Sequence, residues 1–370
     1  MAEINGNTKL KVVSLFCGCG GMDLGIQGDF NFLNKHFGAL PFEVVYAVDN
    51  DAYATKIYNN NFLHKCELKD VRDIVPSEVP DHDILLGGFP CQSFSISAQN
   101  PPRLGFKDDR GKLFFEMVNI LKEKKPRFFI GENVKGILSA NKGKTFPMIV
   151  SEFENAGYYI RHKLMNASEF GVPQKRERVF IIGFRDFEDY NNFDFPQPST
   201  LNESKIVLRQ VVDKKADKED KWYFSQRAVD GMMRVREKMN KGRVQDLNQP
   251  CNTISSHLAK VSLNGTDPVL MVDDRYRRLT PREASNIQSF PENFNLDIVS
   301  ENRQYKAIGN AVPPVLMWHI ANSLVNITLP IKAKNVRRTI NKKSQKKQLV
   351  EFDNREIEKI DEQYNQVFKP

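Results

Sequence analysis

The 370-residue chain has no run of eighteen apolar residues, so no segment reads as a membrane-spanning helix. Residues 1–11 lack the apolar stretch of a secretion signal, which leads to the expectation of a cytoplasmic protein. Cysteine is scarce. Cys17, Cys19, Cys66, Cys91 and Cys251 are odd in number and irregular in spacing, which excludes a disulfide framework. Cys17-x-Cys19 is too tight for the usual zinc pair and no second Cys/His pair completes it, so no metal is expected. There is no internal repeat. Acid is also missing from residues 331–347, which hold eight Lys/Arg and by themselves equal the formal net charge of +8. Such a tract suits a polyanionic partner or is simply a solvated tail, and an acidic stretch from Glu351 to Glu362 follows it.

What is present is an ordinary core-forming composition, 40% hydrophobic and 27% charged. Over the first 185 or so residues, strand-like runs alternate with segments of helical spacing. "KLKVVSLF", "FEVVYAVDND", "HDILLGG", "PRFFIGENV" and "RVFIIGF" read as strands; "GKLFFEMVNILKEKK" and "TFPMIVSEFENAG" read as helices. This alternation predicts an α/β fold with a doubly wound, mostly parallel sheet. Ligands of such sheets sit outside the carboxyl ends of the strands, and the loops richest in chemistry all follow strands here. From about Asp186 the periodicity fades. "RDFEDYNNFDFPQPSTLNESK" reads as a linker into a smaller domain carrying Arg227, Arg234, Arg236, Lys238, Lys241 and Arg243. Helical patterning returns in "LTPREASNIQSF", with Pro281 in the first turn, and in "VPPVLMWHIANSLV". The expected organisation is therefore 1–186, 187–280, 281–330 and a tail of 331–370.

Three loops suit a nucleoside. "FCGCGG" brings Gly18, Gly20 and Gly21 directly after a strand, although Asp23 breaks the dinucleotide G-x-G-x-x-G pattern. Asp49 ends the second strand, where an acid can bind both ribose hydroxyls, and Asp70 lies in the loop before the third. In "DILLGGFPCQSFS" the third strand breaks at Gly87-Gly88, and Pro90 leads into Cys91. Most free cysteines are inert and buried, but one at a ligand-binding sheet edge is a candidate nucleophile. Glu132 in "GENV" supplies an acid at the same edge, and Arg176 and Arg178 in "PQKRERVF" alternate before the next strand, which would direct both guanidinium groups to one face. A thiolate, an acid and paired arginines match the C6, N3 and O2 positions of cytosine.

These motifs, in this order over roughly residues 10 to 325, resemble the DNA cytosine-C5 methyltransferases of bacterial restriction-modification systems. The matching segments are "FCGCGG", "GFPCQSFS", "DDRGKLFFE", "ENV", "QKRERVF", "RRLTPREA" and "YKAIGNAVPP". The resemblance implies the S-adenosylmethionine-dependent methyltransferase fold with a second, smaller target-recognition domain at 187–280. It implies S-adenosyl-L-methionine as cofactor, double-stranded DNA as partner, no metal, no membrane, and a monomer whose cognate restriction endonuclease would be encoded nearby. It casts Cys91 as the nucleophile, Glu132 as the group on N3, and Arg178 on O2 with Arg176 in support. It matches Phe16, Gly18, Gly20, Gly21, Asp49, Asn50, Asp70, Val71, Pro90, Leu113, Asn310 and Val312 to cofactor contacts. Ser97, within the mobile loop of the family, and Thr253 in "NTISS" match DNA contacts. Ser14 stands where the family often has Asp, and Asn50 where many members carry an aromatic. Asp70-Val71 and Asp73-Ile74 both fit the third motif, and the spacing to "PDHDILLGGFPC" favours Asp70. A transfer-RNA cytosine methyltransferase would share the chemistry, and a nicotinamide-dependent oxidoreductase would share the nucleoside loops without needing the Pro-Cys, Glu-Asn-Val and Gln-x-Arg-x-Arg set.

Overall fold

A computed structural model of the chain describes residues 9–90, 109–201, 203–236, 244–258 and 267–328. Cys91, Ser97, the loop of residues 93–106 and the 331–370 tail therefore lie outside the described residues.

The sheet is begun by β1 (Leu10–Leu15), followed by helix α1 (Gly21–Gln27). A short hairpin, β2 (Phe30–Phe32) and β3 (Lys35–Phe37), precedes β4 (Phe42–Asp49). The sequence reading did not foresee this hairpin. Phe30 stacks on its cross-strand partner Phe37 at 5.1 Å between ring centroids, and tertiary packing holds the pair where Phe37 meets Trp318 edge-on. Asp51 then caps α2 (Ala52–Asn61), its carboxylate accepting from the amides of Tyr53 and Ala54. Next come β5 (Cys66–Leu68), β6 (Ile84–Gly87), α3 (Asp109–Lys124), β7 (Phe128–Val134), α4 (Thr145–Asn155) and β8 (Tyr159–Asn166). A two-residue β9 (Gln174–Lys175) leads into β10 (Glu177–Phe184).

Seven of these strands form one sheet in the order β5-β4-β1-β6-β7-β10-β8. It is mostly parallel, as expected, but β10 runs antiparallel to both β7 and β8. Val12 and Val13, and likewise Leu85 and Leu86, are fully buried on opposite faces, the mark of a sheet covered on both sides. One face packs on Phe114, Met117, Leu121, Ile149 and Phe153 of α3 and α4. The other packs on α1, α2 and the C-terminal helices.

The expected linker after Asp186 begins instead with helix α5 (Phe187–Asn192), capped by the Asp186 side chain. It is fixed to the sheet because Arg127 donates twice to Asp189, at 2.7 and 2.8 Å. The polar composition that reads as a linker is here a cap and an ion pair. Beyond it lie short 3-10 turns, α6 (Gln226–Arg236), β11 (Cys251–Asn252), which pairs with β9, and a hairpin of β12 (Val269–Val272) and β13 (Arg275–Arg278). Three helices finish the described chain: α7 (Pro281–Ile287), α8 (Glu301–Asn310) and α9 (Pro314–Thr328). Thr280 and Glu283 form a reciprocal capping box on α7, with Pro281 at its first position. All described residues fall in one compact unit, and none of their helices is long and apolar enough to cross a membrane.

Arg277 pins residues 213–283 together. It is 1% exposed and donates to both oxygens of Glu283, itself 0% exposed, at 2.8 Å, and to Asp217 at 2.8 Å. Glu283 also accepts the amides of Thr280 and Asp213. Arg277→Met leaves that carboxylate buried without its cation. It should cost about 3 kcal/mol of stability, the scale for breaking a buried pair, measured as a lowered denaturant midpoint.

Candidate active site

The carboxyl ends of β1, β4, β6 and β7 border one cavity of about 830 Å³. That volume lies within the roughly 300–1,000 Å³ usual for small-molecule sites. β1 ends in a turn where Phe16 takes a left-handed φ of 54°, rare for an aromatic residue, before Gly18 at 58°. A Cβ on Gly18 would meet nothing within 4 Å, so this backbone is open to the cavity. Gly21 also lines the cavity, but its missing Cβ makes room for the Val312 carbonyl, 2.2 Å from where that Cβ would stand. Gly20 does not line it. Its hydrogen faces the rings of Phe62 and Tyr58, so this glycine serves helix packing.

Asp49 ends β4 with both oxygens held by backbone: Gly18 N–H donates to Oδ2 and Asp51 N–H to Oδ1, each at 2.8 Å. Burial raises its pKa, and these two donors oppose the rise. Asp70 also lines the cavity. Arg72 donates to both its oxygens, at 2.9 and 2.8 Å, and Asn50 adds a bond at 3.2 Å. The Arg72 guanidinium holds the Asp70 carboxyl well below the usual range. Val71 follows in the cavity wall, whereas Asp73 and Ile74 are not part of it. Pro90, Leu113, Asn310 and Val312 complete the lining among the expected residues.

The other end of the cavity carries Glu132 and Arg178. The reversal of β10 causes their meeting. Phe180 pairs with Glu132 across the ladder, so Arg178, two residues earlier on the same face, enters the sheet at the carboxyl end of β7. Its Nε lies 3.0 Å from Glu132 Oε1, with both side chains 13% exposed. Arg176 lines the same cavity but not by strand alternation, because it sits in the break between β9 and β10. Buried, it donates to the carbonyls of Ile254 and Gly309, at 3.2 and 3.0 Å, leaving its buried Nε without a protein partner. Burial, then the nearby Arg178, lowers its pKa. Asn133, which sequence reading did not single out beyond its tripeptide, donates to the Phe89 carbonyl at 2.9 Å and so holds the turn ahead of Pro90. Lys306 and Asp51 are two further cavity residues that the motifs contained without marking.

Thr253 does not reach the cavity. It is exposed and donates its hydroxyl to Lys175 O at 2.7 Å. Cys17, Cys19, Cys66 and Cys251 are all free and buried, and burial pushes the Cys19 thiol up to about 12. Burial likewise raises the thiols of Cys17 and Cys251, so none of these three is prepared as a thiolate nucleophile. No group of His, Cys, Asp and Glu that could hold a metal occurs among the described residues.

Comparison with known proteins shows the family of the chain and the likeness of its fold. The family model "C-5 cytosine-specific DNA methylase" matches residues 10–326. The type II methyltransferase M.Bsp6I of Bacillus sp. (strain RFL6) is 33% identical over 327 residues, covering 85% of this chain and 98% of that relative. The type II methyltransferase M1.ScrFI of Lactococcus lactis subsp. cremoris is 37% identical over 333 residues, covering 88% and 80%. In fold, the chain is similar to the methyltransferase EhMeth of Entamoeba histolytica, with a TM-score of 0.70 at 18% identity over 87% of this chain and 99% of that one.

Ser14, one of the departures from the usual first motif, belongs to a buried network below the glycine turn. Its hydroxyl donates to Asp23 at 3.0 Å, and the Tyr58 hydroxyl donates to the other Asp23 oxygen at 2.8 Å. Tyr58 also bonds His64. Asp23 is fully buried, and burial raises its pKa from 3.8 to about 6 despite these donors. The folded state then binds more protons than the unfolded state between those two values, so this group lowers stability as pH rises through them. Asp23→Asn should remove that slope. Urea unfolding of both proteins from pH 4 to pH 7 should show the variant gaining on wild type by about 2–3 kcal/mol. A constant difference would mean that Asp23 is ionised throughout.

Proposed function

The chain belongs to the C-5 cytosine-specific DNA methylase family, as a DNA (cytosine-5-)-methyltransferase, and from that premise we propose that it methylates C5 of a cytosine flipped out of double-stranded DNA, using S-adenosyl-L-methionine and a transient bond between Cys91 and C6. The observation that carries this reading is a single cavity with two chemically distinct ends: acids at the ends of β4 and β5, and the Glu132–Arg178 pair at β7 and β10.

The acidic end fits the cofactor. Asp49 accepts the ribose hydroxyls, Asp70 with Asn50 faces the adenine amine, and Phe16, Val71 and Leu113 give apolar walls. Gly18 leaves backbone open to the cavity, Gly21 lets the Val312 carbonyl approach, and Pro90, Asn310 and Val312 close the remaining side. When bound, S-adenosyl-L-methionine supplies the methyl group as an electrophile. The residues at the other end act on the base, which must leave the stack because C5 and C6 are otherwise unreachable. Glu132 holds N3 and Arg178 holds O2, with Arg176 in support of the site, its guanidinium donating to the carbonyls of Ile254 and Gly309. Cys91 adds to C6, and the electron pair moves to C5, which takes the methyl group. Water then takes the C5 proton, the freed electron pair re-forms the C5–C6 double bond, and the C6–S bond breaks to release Cys91 as a thiolate. Asn133 keeps the turn before Cys91 in place through Phe89.

Residues 187–280 serve as the target-recognition domain in this reading, reading base edges in the major groove while basic side chains grip phosphates. Residues 1–186 and 281–330 hold the chemistry, and Ser97 and Thr253 contact the DNA. The relatives' type II names support a restriction-modification role with a cognate endonuclease.

Bisulfite sequencing of DNA from cells producing the protein should reveal methylated cytosines in one sequence context. Cys91→Ser should abolish transfer while retaining specific DNA binding, and a duplex with 5-fluorocytosine at the target should trap wild type in a denaturation-resistant adduct. Wild-type turnover by the serine variant would refute the covalent route. Asp49→Ala should weaken S-adenosylhomocysteine by about 1.5–3 kcal/mol in calorimetry, as for a lost hydrogen bond to a charged group.

A further inference from the structure

Two walls of the cavity come from chain segments far apart in sequence, and one ion pair spans them. Lys306 of α8 donates to Asp51 Oδ2 at 2.6 Å across 255 positions, beside the opening that Asp49 faces. The same two helices touch again where Arg303 lies over the Tyr53 ring, 4.1 Å from its centroid. Asp51 has a second duty, since its other oxygen caps α2. Asp49 and Asp51 are thus two carboxylates linked through one backbone amide, Asp51 N–H to Asp49 Oδ1.

We propose that Lys306 is a positioning residue of the cofactor site: by neutralising Asp51 it lets the adjacent Asp49 meet the ribose as a carboxylate. This rests on the reading of Asp49 as the ribose acceptor. The groups around Asp49 make the need plain. On its own turn stands Asp51. Below, under the glycine turn, lies Asp23, whose charge and that of Asp49 disfavour one another, with the thiols of Cys17 and Cys19 kept neutral beside them. On the β5 side Lys69 gives its backbone amide to the Asp49 carbonyl, and Asp70 is already matched by Arg72. Lys69 and Lys306 both line the cavity, and it is Lys306, ion-paired with Asp51, whose field favours ionised Asp49 against burial and Asp51. Without the lysine, Asp49 and Asp51 repel, and Asp49 takes up a proton at higher pH. A protonated Asp49 accepts fewer hydrogen bonds from two hydroxyls.

The test is the pH dependence of S-adenosylhomocysteine binding by calorimetry, from pH 5 to pH 8.5. Lys306→Met should lose affinity at a higher pH than wild type, by up to about tenfold per pH unit below the new pKa. Lys306→Arg should restore the wild-type curve. Asp51→Asn keeps an equally good helix cap but removes the second charge, so Lys306→Met combined with Asp51→Asn should also return toward wild type. Asp51→Asn alone should hold affinity to lower pH than wild type, an outcome that does not require the methionine variant to fold. Superimposable curves for wild type and Lys306→Met, or a double variant that stays displaced, would overturn the proposal. Failure of wild type to bind S-adenosylhomocysteine at any pH would instead overturn the cofactor reading beneath it.

Discussion

The reversal of β10 is the constraint on which the Glu132–Arg178 end of the cavity depends. In a wholly parallel sheet, the start of that strand would lie at the amino edge, far from the carboxyl end of β7. Running antiparallel, β10 begins where β7 ends, and Arg178 reaches Glu132. The break before β10 then leaves Arg176 facing inward, where its guanidinium joins the carbonyls of Ile254 and Gly309. One buried cation thus links the sheet, the segment after β11 and the last turn of α8. A lysine could not span both carbonyls, since it lacks the planar fork of arginine.

The opposite end of the cavity poses the reverse electrostatic problem. Asp23, Asp49, Asp51 and Asp70 gather near the ends of β1, β4 and β5, and their charges must be compensated. Asp70 is matched by Arg72, Asp51 by Lys306 and its helix cap, and Asp49 by two backbone amides. Asp23, fully buried and with neutral donors but no cation, is the one whose pKa burial raises to about 6. The cavity therefore has a negative rim whose members are individually tethered, opposite a pair of arginines.

Most of the site was legible because sheet topology and motif order are linked. Each of Phe16, Asp49 and Pro90 stands just after an apolar run, or at its end, and that alone assigns them to the carboxyl edge. Gly18, Gly20 and Gly21 read alike from sequence, yet Gly18 is open to the cavity while Gly20 faces Phe62 and Gly21 the Val312 carbonyl, because a glycine required by packing and one open to a cavity look the same in a string. The β2–β3 hairpin and the edge strand β8 escaped for a related reason. "FNF" is too short for periodicity, and β8, at the sheet edge, mixes Arg161, His162 and Lys163 with its apolar residues.

What the sequence by itself determined is the α/β class, the membership of motifs in one ordered set, and the identity of the residues at the strand ends. Those follow from local rules: apolar runs make buried strands, and glycine, proline and acids mark where they stop. What only the tertiary structure decided is which of those residues meet. Lys306 and Asp51 are separated by 255 positions, and Arg176 bonds to carbonyls 78 and 133 positions away. No spacing rule reaches across such distances, because long-range pairing is set by how whole strands and helices pack, and a side chain's partner is fixed only when that packing is complete.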